Sequence, residues 1–296
     1  MVIQKSPWYT LFRVCNAVFL GLLAVSTFLP IIHIIALSMS DNAAVTANAV
    51  GLWPKGFNLS SYEFILKDGR FPRATLVSFE RVAAGTLLNL ALILITAYPL
   101  AQSNKDLRGR KLIAWFFVFT TLFSGGLIPT YLLIRDLRLI DSFFALILPG
   151  AVPVFSVIML MNYIKTLPKE LFESCMIDGA GHITCVTKIV VPLSTPCIAT
   201  LALFAIVGHW NEWFSAIIYL NNASQWPLQA LLRSLLMQKM DLRRMIETGD
   251  YMQVMNLSNK SIQTAQIVYT TLPILLTYPF LQKYFVKGIV VGAVKG

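Results

Sequence analysis

An all-α membrane protein that crosses the bilayer six times is what the sequence predicts, and three observations carry that prediction. Of the 296 residues, 56% are hydrophobic and only 13% are charged, about half the charged share of a soluble globular domain; mean hydropathy is +0.68. Six apolar runs of bilayer-spanning length, at about 14–37, 74–101, 112–133, 142–164, 195–218 and 262–280, alternate with polar segments. Between the fourth and fifth runs lies a polar stretch, Thr166–Pro192, TLPKELFESCMIDGAGHITCVTKIVVP, with the punctuation of two short helices.

The first run follows Lys5 and Arg13 and continues to Leu37, far longer than the apolar region of a signal peptide, so a retained span is expected. Pro30 should kink it, and His33 reads as a buried hydrogen-bonding residue rather than a metal ligand. Residues 39–73 form an outer loop punctuated by Gly51, Pro54, Gly56 and Pro72. The second run opens with Glu80 and Arg81, adjacent and therefore about 100° apart on a helix. Near a span end such charges are expected to snorkel, and a water-filled entrance is the functional alternative. Lys105, Arg108, Arg110 and Lys111 crowd the short turn that follows and mark that side as cytoplasmic. The 24 basic residues, these four included, divide evenly between the two sides.

Ser124-Gly125-Gly126 with Pro129 in the third run reads as a close-packing or bending site, with a gating hinge as the sharper alternative. Pro149, Gly150 and Pro153 break the fourth run at mid-depth, where transporters often place a substrate path. Near the far end of the fifth run stands GHWNEW. Trp210 and Trp213 are either interfacial belt residues or, with Asn211 and Glu212, a sugar-contacting patch of ring faces and hydrogen-bonding groups. Residues 219–262 form a second outer loop, whose segment 228–247 has helical spacing but several charges. Pro273 and Pro279 interrupt the sixth run, and a short tail, 283–296, closes the chain.

Net charge is +10, yet the basic residues sit at the ends of apolar runs rather than along one face, so lipid and not nucleic acid is the expected partner. Cys15, Cys175, Cys185 and Cys197 show no metal-ligand spacing; reduced structural cysteines are expected, with neither a metal site nor a disulfide framework. No phosphate-binding G-x-x-x-x-G-K-[ST], H-E-x-x-H or G-x-S-x-G is present, so no catalysis by this chain is expected. A secondary transporter or channel of six kinked helices would more often bury acidic or basic coupling residues at mid-membrane.

Within the 166–192 stretch, Pro168 presets a first helical turn and Glu170 and Glu173 favour a helix N-terminus. Leu167, Leu171, Cys175 and Ile177 offer an apolar face, Gly179 and Gly181 break the helix, and a second run from His182 stops at Pro192. Glu173-Ser174-Cys175, Asp178-Gly179-Ala180 and Ile189-Val190-Val191-Pro192 resemble the EAA loop of ABC-importer permeases, E-A-A-x3-G-x9-I-x-L-P, with Ser174 and Cys175 for two alanines and Val191 for leucine. SGGLIPTYLLI, ALILPG, HWNEWFSAI and YFVKGIVVGAVKG extend the resemblance to carbohydrate-uptake permeases of the maltose-importer class, in the LplC/YtcP-like branch that includes an alginate-fragment importer.

That resemblance implies a type I ABC importer permease fold, one transmembrane domain over 1–296 in a bacterial cytoplasmic membrane, with both termini cytoplasmic. It implies a cytoplasmic coupling helix carrying Glu170, Glu173, Asp178, Gly179, Ala180 and Pro192 to an ATPase, and C-terminal ATPase contacts at Lys287, Gly288 and Lys295. The implied partners are a second permease subunit, two ATPase subunits that bind ATP and Mg, an extracytoplasmic solute-binding protein that meets loop 219–262, and an oligosaccharide. Trp210, Asn211, Glu212 and Trp213 are the candidate substrate-path residues.

Overall fold

The computed structural model describes residues 7–103, 107–177, 179–237 and 260–293, with 278–293 as backbone only. All regular structure among them is helical. Two compact units make up the chain, Met1–Gly69 with Ser234–Thr271 and Arg70–Arg233 with Leu272–Gly296.

In the first unit, helix α1 (Pro7–Ser38) carries no Asp, Glu, Lys or Arg after Arg13. It is apolar all round, and its spanning window buries nothing against protein, the mark of a helix whose solvent is lipid. Only its last turn packs: Ala36 and Leu37 meet Val45 of α2 (Asn42–Thr46) and Val50. Ser38 Oγ lies 2.8 Å from the Tyr62 hydroxyl of α3 (Ser60–Lys67). His33 donates from Nδ1 to the Gly51 carbonyl at 2.8 Å, a hydrogen-bonding role as its sequence context predicts.

The second unit is organised around α4 (Arg70–Ala101). Val77, Arg81, Gly85, Asn89, Ile93 and Ala97 recur at every fourth position and are all buried, so one stripe of this helix faces inward along its length. The stripe is apolar at one end: Ile93, Ala97 and Leu100 pack with Val157, Leu160 and Ile164 of α7 (Val154–Ile164) and with Val190, Cys197 and Leu201. At the other end it is polar, because Arg81 and Asn89 replace the aliphatic residues. Helices α5 (Arg110–Leu122) and α6 (Leu127–Asp136) follow, then α8 (Lys169–Ile177), α9 (His182–Leu193), α10 (Thr195–Asn211), α11 (Phe214–Tyr219), α12 (Leu228–Met237) and α13 (Lys260–Ala293), the last two divided between the units.

Among the described residues, α1 and α4 are each long and apolar enough to cross a membrane, and there are up to four spans if the bent pairs α5–α6 and α9–α10 each count as one. The chain is therefore an all-α, multi-span membrane protein, with fewer unbroken spans than the six apolar runs suggest. Backbone chemistry is the reason. Run 112–133 turns by 115° at Ser124–Gly126, where Gly126 sits at φ 86°, open to glycine and strained for other residues. Run 142–164 keeps only Val154–Ile164 as α-helix, since Pro149 and Pro153 each remove a backbone donor. Run 195–218 breaks between Asn211 and Phe214.

Candidate functional site

Two places in the second unit concentrate polar chemistry. The first is the 166–192 stretch. Its opening helix α8 starts just after Pro168 and ends in a closed turn: Gly179 N–H donates to Met176 O at 3.1 Å and Ala180 N–H to Cys175 O at 3.1 Å. With Gly179 at φ 71°, these two bonds form the Schellman cap, for which glycine is the usual residue. Glu170, Glu173, Gly179 and Pro192 are exposed and Ala180 is half-buried; Asp178 lies outside the described residues. The inward face is narrower than its apolar spacing suggests. Cys175 is buried and Phe172 packs on the α4–α7 core, three residues apart as one helix face requires, while Leu171 and Ile177 point outward. Ile177 and Ile183 are 85% and 81% exposed, so the tip carries apolar side chains that nothing among the described residues covers. His182 Nδ1 lies 3.0 Å from the Tyr98 hydroxyl, which ties the second helix to α4. A π-helical turn, Val186–Val190, precedes Pro192, whose ring cannot continue an α-helical ladder.

One sequence expectation is corrected here. Cys175 and Cys185 are joined in a disulfide across the Gly179 turn, with Cα atoms 6.3 Å apart, whereas reduced cysteines were expected throughout. The turn folds α9 back beside α8, a proximity that no linear spacing rule encodes. Cys15 and Cys197 are free. The bridge closes a loop with a sequence separation of 10, worth just under the ~3 kcal/mol of a 15-residue loop in the chain-entropy account. Reduction should therefore speed hydrogen exchange at the Gly179 and Ala180 amides about a hundredfold. The same rate in oxidised and reduced protein would show that the bridge does not hold the turn.

The second place is a cavity of about 370 Å³ walled by Arg81, Asn89, His209, Glu212 and Ser215, with Pro149, Gly150 and Pro153 opposite α10. Arg81, 2% exposed, donates from Nη1 to the Glu212 carbonyl at 2.8 Å and from Nη2 to the Leu146 carbonyl at 3.1 Å and Ser215 Oγ at 3.0 Å. Its guanidinium also pairs with the Glu212 carboxylate, whose other oxygen accepts from Ser215 N–H at 2.9 Å. Arg81 is thus buried and paired in the wall of this cavity, and does not snorkel as expected. The preceding residue, Glu80, is the exposed one of the two.

About two helical turns further along, Asn89 Nδ2 donates to the carbonyls of Gly150 at 3.1 Å and Ala151 at 2.8 Å, and Oδ1 accepts from His209 Nε2 at 2.7 Å. The carbonyls left open where the helix breaks around Pro149 and Pro153 are satisfied by this amide. Gly85 makes room for His209: a Cβ there would fall 2.5 Å from the imidazole ring.

Of the four sequence candidates, Glu212 alone lines this cavity. Trp210 is buried, edge-on to Phe79 with centroids 5.5 Å apart; Asn211 is exposed; Trp213 lies under the Arg233 guanidinium, 4.9 Å from its centroid. Sequence reasoning missed Arg81, Asn89, His209 and Ser215 as a group. The signal available was a polar residue every fourth or eighth position on one face of an otherwise apolar helix. Lys287 and Gly288 lie in the backbone-only part of α13, and Lys295 is outside the described residues.

Comparison with known proteins places these features in a family context. Residues 86–291 match the family described as "Binding-protein-dependent transport system inner membrane component". Protein LplC of Bacillus subtilis is 42% identical over 285 residues, covering 96% of this chain and 95% of that protein. The polygalacturonan/rhamnogalacturonan transport system permease protein YtcP of the same organism is 40% identical, covering 94% and 96%. A chain in the crystal structure of a bacterial ABC transporter involved in the import of the acidic polysaccharide alginate superposes with a TM-score of 0.85 at 30% identity, covering 95% of this chain and 98% of that one.

Proposed function

Because the chain belongs to the binding-protein-dependent transport system inner membrane components, and is a non-catalytic permease subunit of a carbohydrate ABC importer, we propose that residues 166–192 are its coupling element and the Arg81–Glu212 cavity part of its substrate path. The observation that carries the coupling assignment is the capped α8 tip. It is a short helix closed by Gly179, with Glu173 and Ile177 exposed and nothing among the described residues covering them. A partner ATPase that holds ATP and Mg grips this tip. Closure of the ATPase pair then tilts α8, and the closed Gly179 turn and the Tyr98–His182 contact carry the tilt to α9 and α4. Only differential affinity of the partners for the two permease states can move that equilibrium.

In this assignment the six apolar runs are six crossings, several broken by Gly and Pro, in a type I importer fold with both termini and the coupling loop cytoplasmic. The membrane is the bacterial cytoplasmic membrane. The chain forms half of a pore completed by a second, different permease chain, with two ATPase subunits beneath; a solute-binding protein meets 219–262 and delivers the oligosaccharide. Lys287, Gly288 and Lys295 reach the ATPase pair. The cargo is an acidic oligosaccharide, a reading supported by YtcP, named for polygalacturonan and rhamnogalacturonan transport, and by the transporter involved in import of the acidic polysaccharide alginate.

Isolation of the chain from its native membrane should bring ATPase subunits with it. With its solute-binding protein, uronate oligosaccharides should stimulate ATP hydrolysis about tenfold more than neutral ones of equal length, a difference of about 1.4 kcal/mol. An isolated chain that transports alone would refute the assignment, and equal stimulation by neutral sugars would refute the cargo class.

A further inference from the structure

A second, smaller cavity opens where α4 ends, α5 begins and α7 ends. It has a volume of about 120 Å³ and is lined by Arg110, Lys111 and Lys165 on one side and by Leu100, Ala114, Trp115 and Met161 on the other. Arg110 spends two donors on the carbonyls of Leu100, at 3.2 Å, and Gln102, at 2.8 Å. None of the three cations has a carboxylate partner among the described residues. Lys111 stands in the first turn of α5, where the helix dipole already presents positive charge, so the side chain repels the end it sits on. Burial, and then the Arg110 charge, hold the Lys165 ammonium below the usual lysine range.

Three cations converging on one hollow at a helix N-terminus, with no acid among the described residues to compensate them, make an electrostatic site suited to an anion. The rest of the lining selects the kind of anion. Trp115 is 68% exposed, and the apolar wall it forms with Met161 and Ala114 suits an amphiphile better than a soluble ion. The cavity is also well below the roughly 300 Å³ at which pockets for whole drug-sized ligands begin, so it admits a headgroup phosphate and leaves the rest of the molecule outside. We propose that this cavity binds the phosphate of an anionic phospholipid, with Arg110, Lys111 and Lys165 around the headgroup and Trp115 against its acyl chains. The site lies four residues before α8 in the chain, so an occupied headgroup braces the end of α7 from which the 166–192 stretch departs.

The test uses the importer as extracted from its membrane, held in nanodiscs of phosphatidylcholine with phosphatidylglycerol as the minority lipid. Phosphatidylglycerol retained after detergent transfer is counted by native mass spectrometry. Lys111→Gln with Lys165→Gln spares Arg110, which holds backbone carbonyls, and should weaken retention of one phosphatidylglycerol per chain roughly thirtyfold, as expected for two membrane-surface cations. Lys67→Gln, on an exposed helix of the first unit, should leave retention unchanged. Unchanged melting of the double variant separates lost binding from lost folding; if it melts early, Lys165→Arg and Lys111→Arg should retain the lipid. Equal retention by the folded double variant overturns the proposal. So does equal retention of phosphatidylcholine, or displacement of the lipid by millimolar inorganic phosphate, which would assign the site to a soluble anion. Lipid retention is read without sugar transport, so it stands or falls independently of the coupling assignment.

Discussion

Gly179→Pro should abolish sugar-stimulated ATP hydrolysis, and Glu173→Ala should lower it roughly tenfold to a hundredfold, while the permease still co-purifies with its ATPase. The proline effect follows from backbone geometry. Gly179 sits at φ 71° and donates its N–H to Met176, whereas proline is fixed near φ −65° and has no N–H. The Schellman cap cannot form, and the cost is about 3 kcal/mol or more. Gly179→Ala keeps the N–H but carries the left-handed penalty of about 1–2 kcal/mol, so coupling should fall in the order glycine, alanine, proline. Glu173 is exposed on α8, and its removal takes away an interfacial carboxylate rather than the helix. Truncating one partner of a desolvated charge pair costs about 2–5 kcal/mol and a rim pair less, which sets the expected range. Basal hydrolysis, stimulated hydrolysis and subunit recovery are measured together. Transport at the original rate in both variants removes residues 166–192 from the coupling pathway.

The helical class and membrane character were legible in the sequence because they depend on composition and run length, which survive any tertiary arrangement. The glycine-closed turn of residues 166–192 was legible for a related reason. Its cap is a local device, written in Gly179 and the residues within four positions of it. What stayed hidden depends on residues far apart in the chain. Arg81 and Glu212 are 131 positions apart and Asn89 and His209 are 120, so neither pair leaves a local pattern. Arg81 also looked like a span-end charge, because position along the chain does not reveal which face of α4 turns inward. Pro149 and Pro153 gave away the broken helix but not the amide that would satisfy its carbonyls. The Cys175–Cys185 bridge was missed because spacing rules for cysteine describe metal sites and redox motifs, not a turn that happens to close.

Glu212→Ala should destabilise the second unit by about 3–5 kcal/mol, the range for breaking a buried ion pair from one side. The cation is the reason. Arg81 is 2% exposed against 35% for Glu212, so the partly exposed carboxylate can be replaced by water while the guanidinium cannot. It would keep the Leu146 and Glu212 carbonyls and Ser215 but lose the only carboxylate paired with it among the described residues. Arg81→Met should cost less, because the charge leaves with the side chain and Glu212 still has the Ser215 N–H and hydroxyl and access to the cavity. A double variant, Arg81→Met with Glu212→Leu, should recover much of the loss, since apolar replacement of a buried pair is often neutral. Thermal unfolding of the four forms gives the coupling energy directly. Additive losses would mean the pair does not interact in the folded protein. If the double variant is stable yet transports less than a tenth as well as the original, the pair is held for the cavity's chemistry and not for the fold, because its stabilising role has then been replaced.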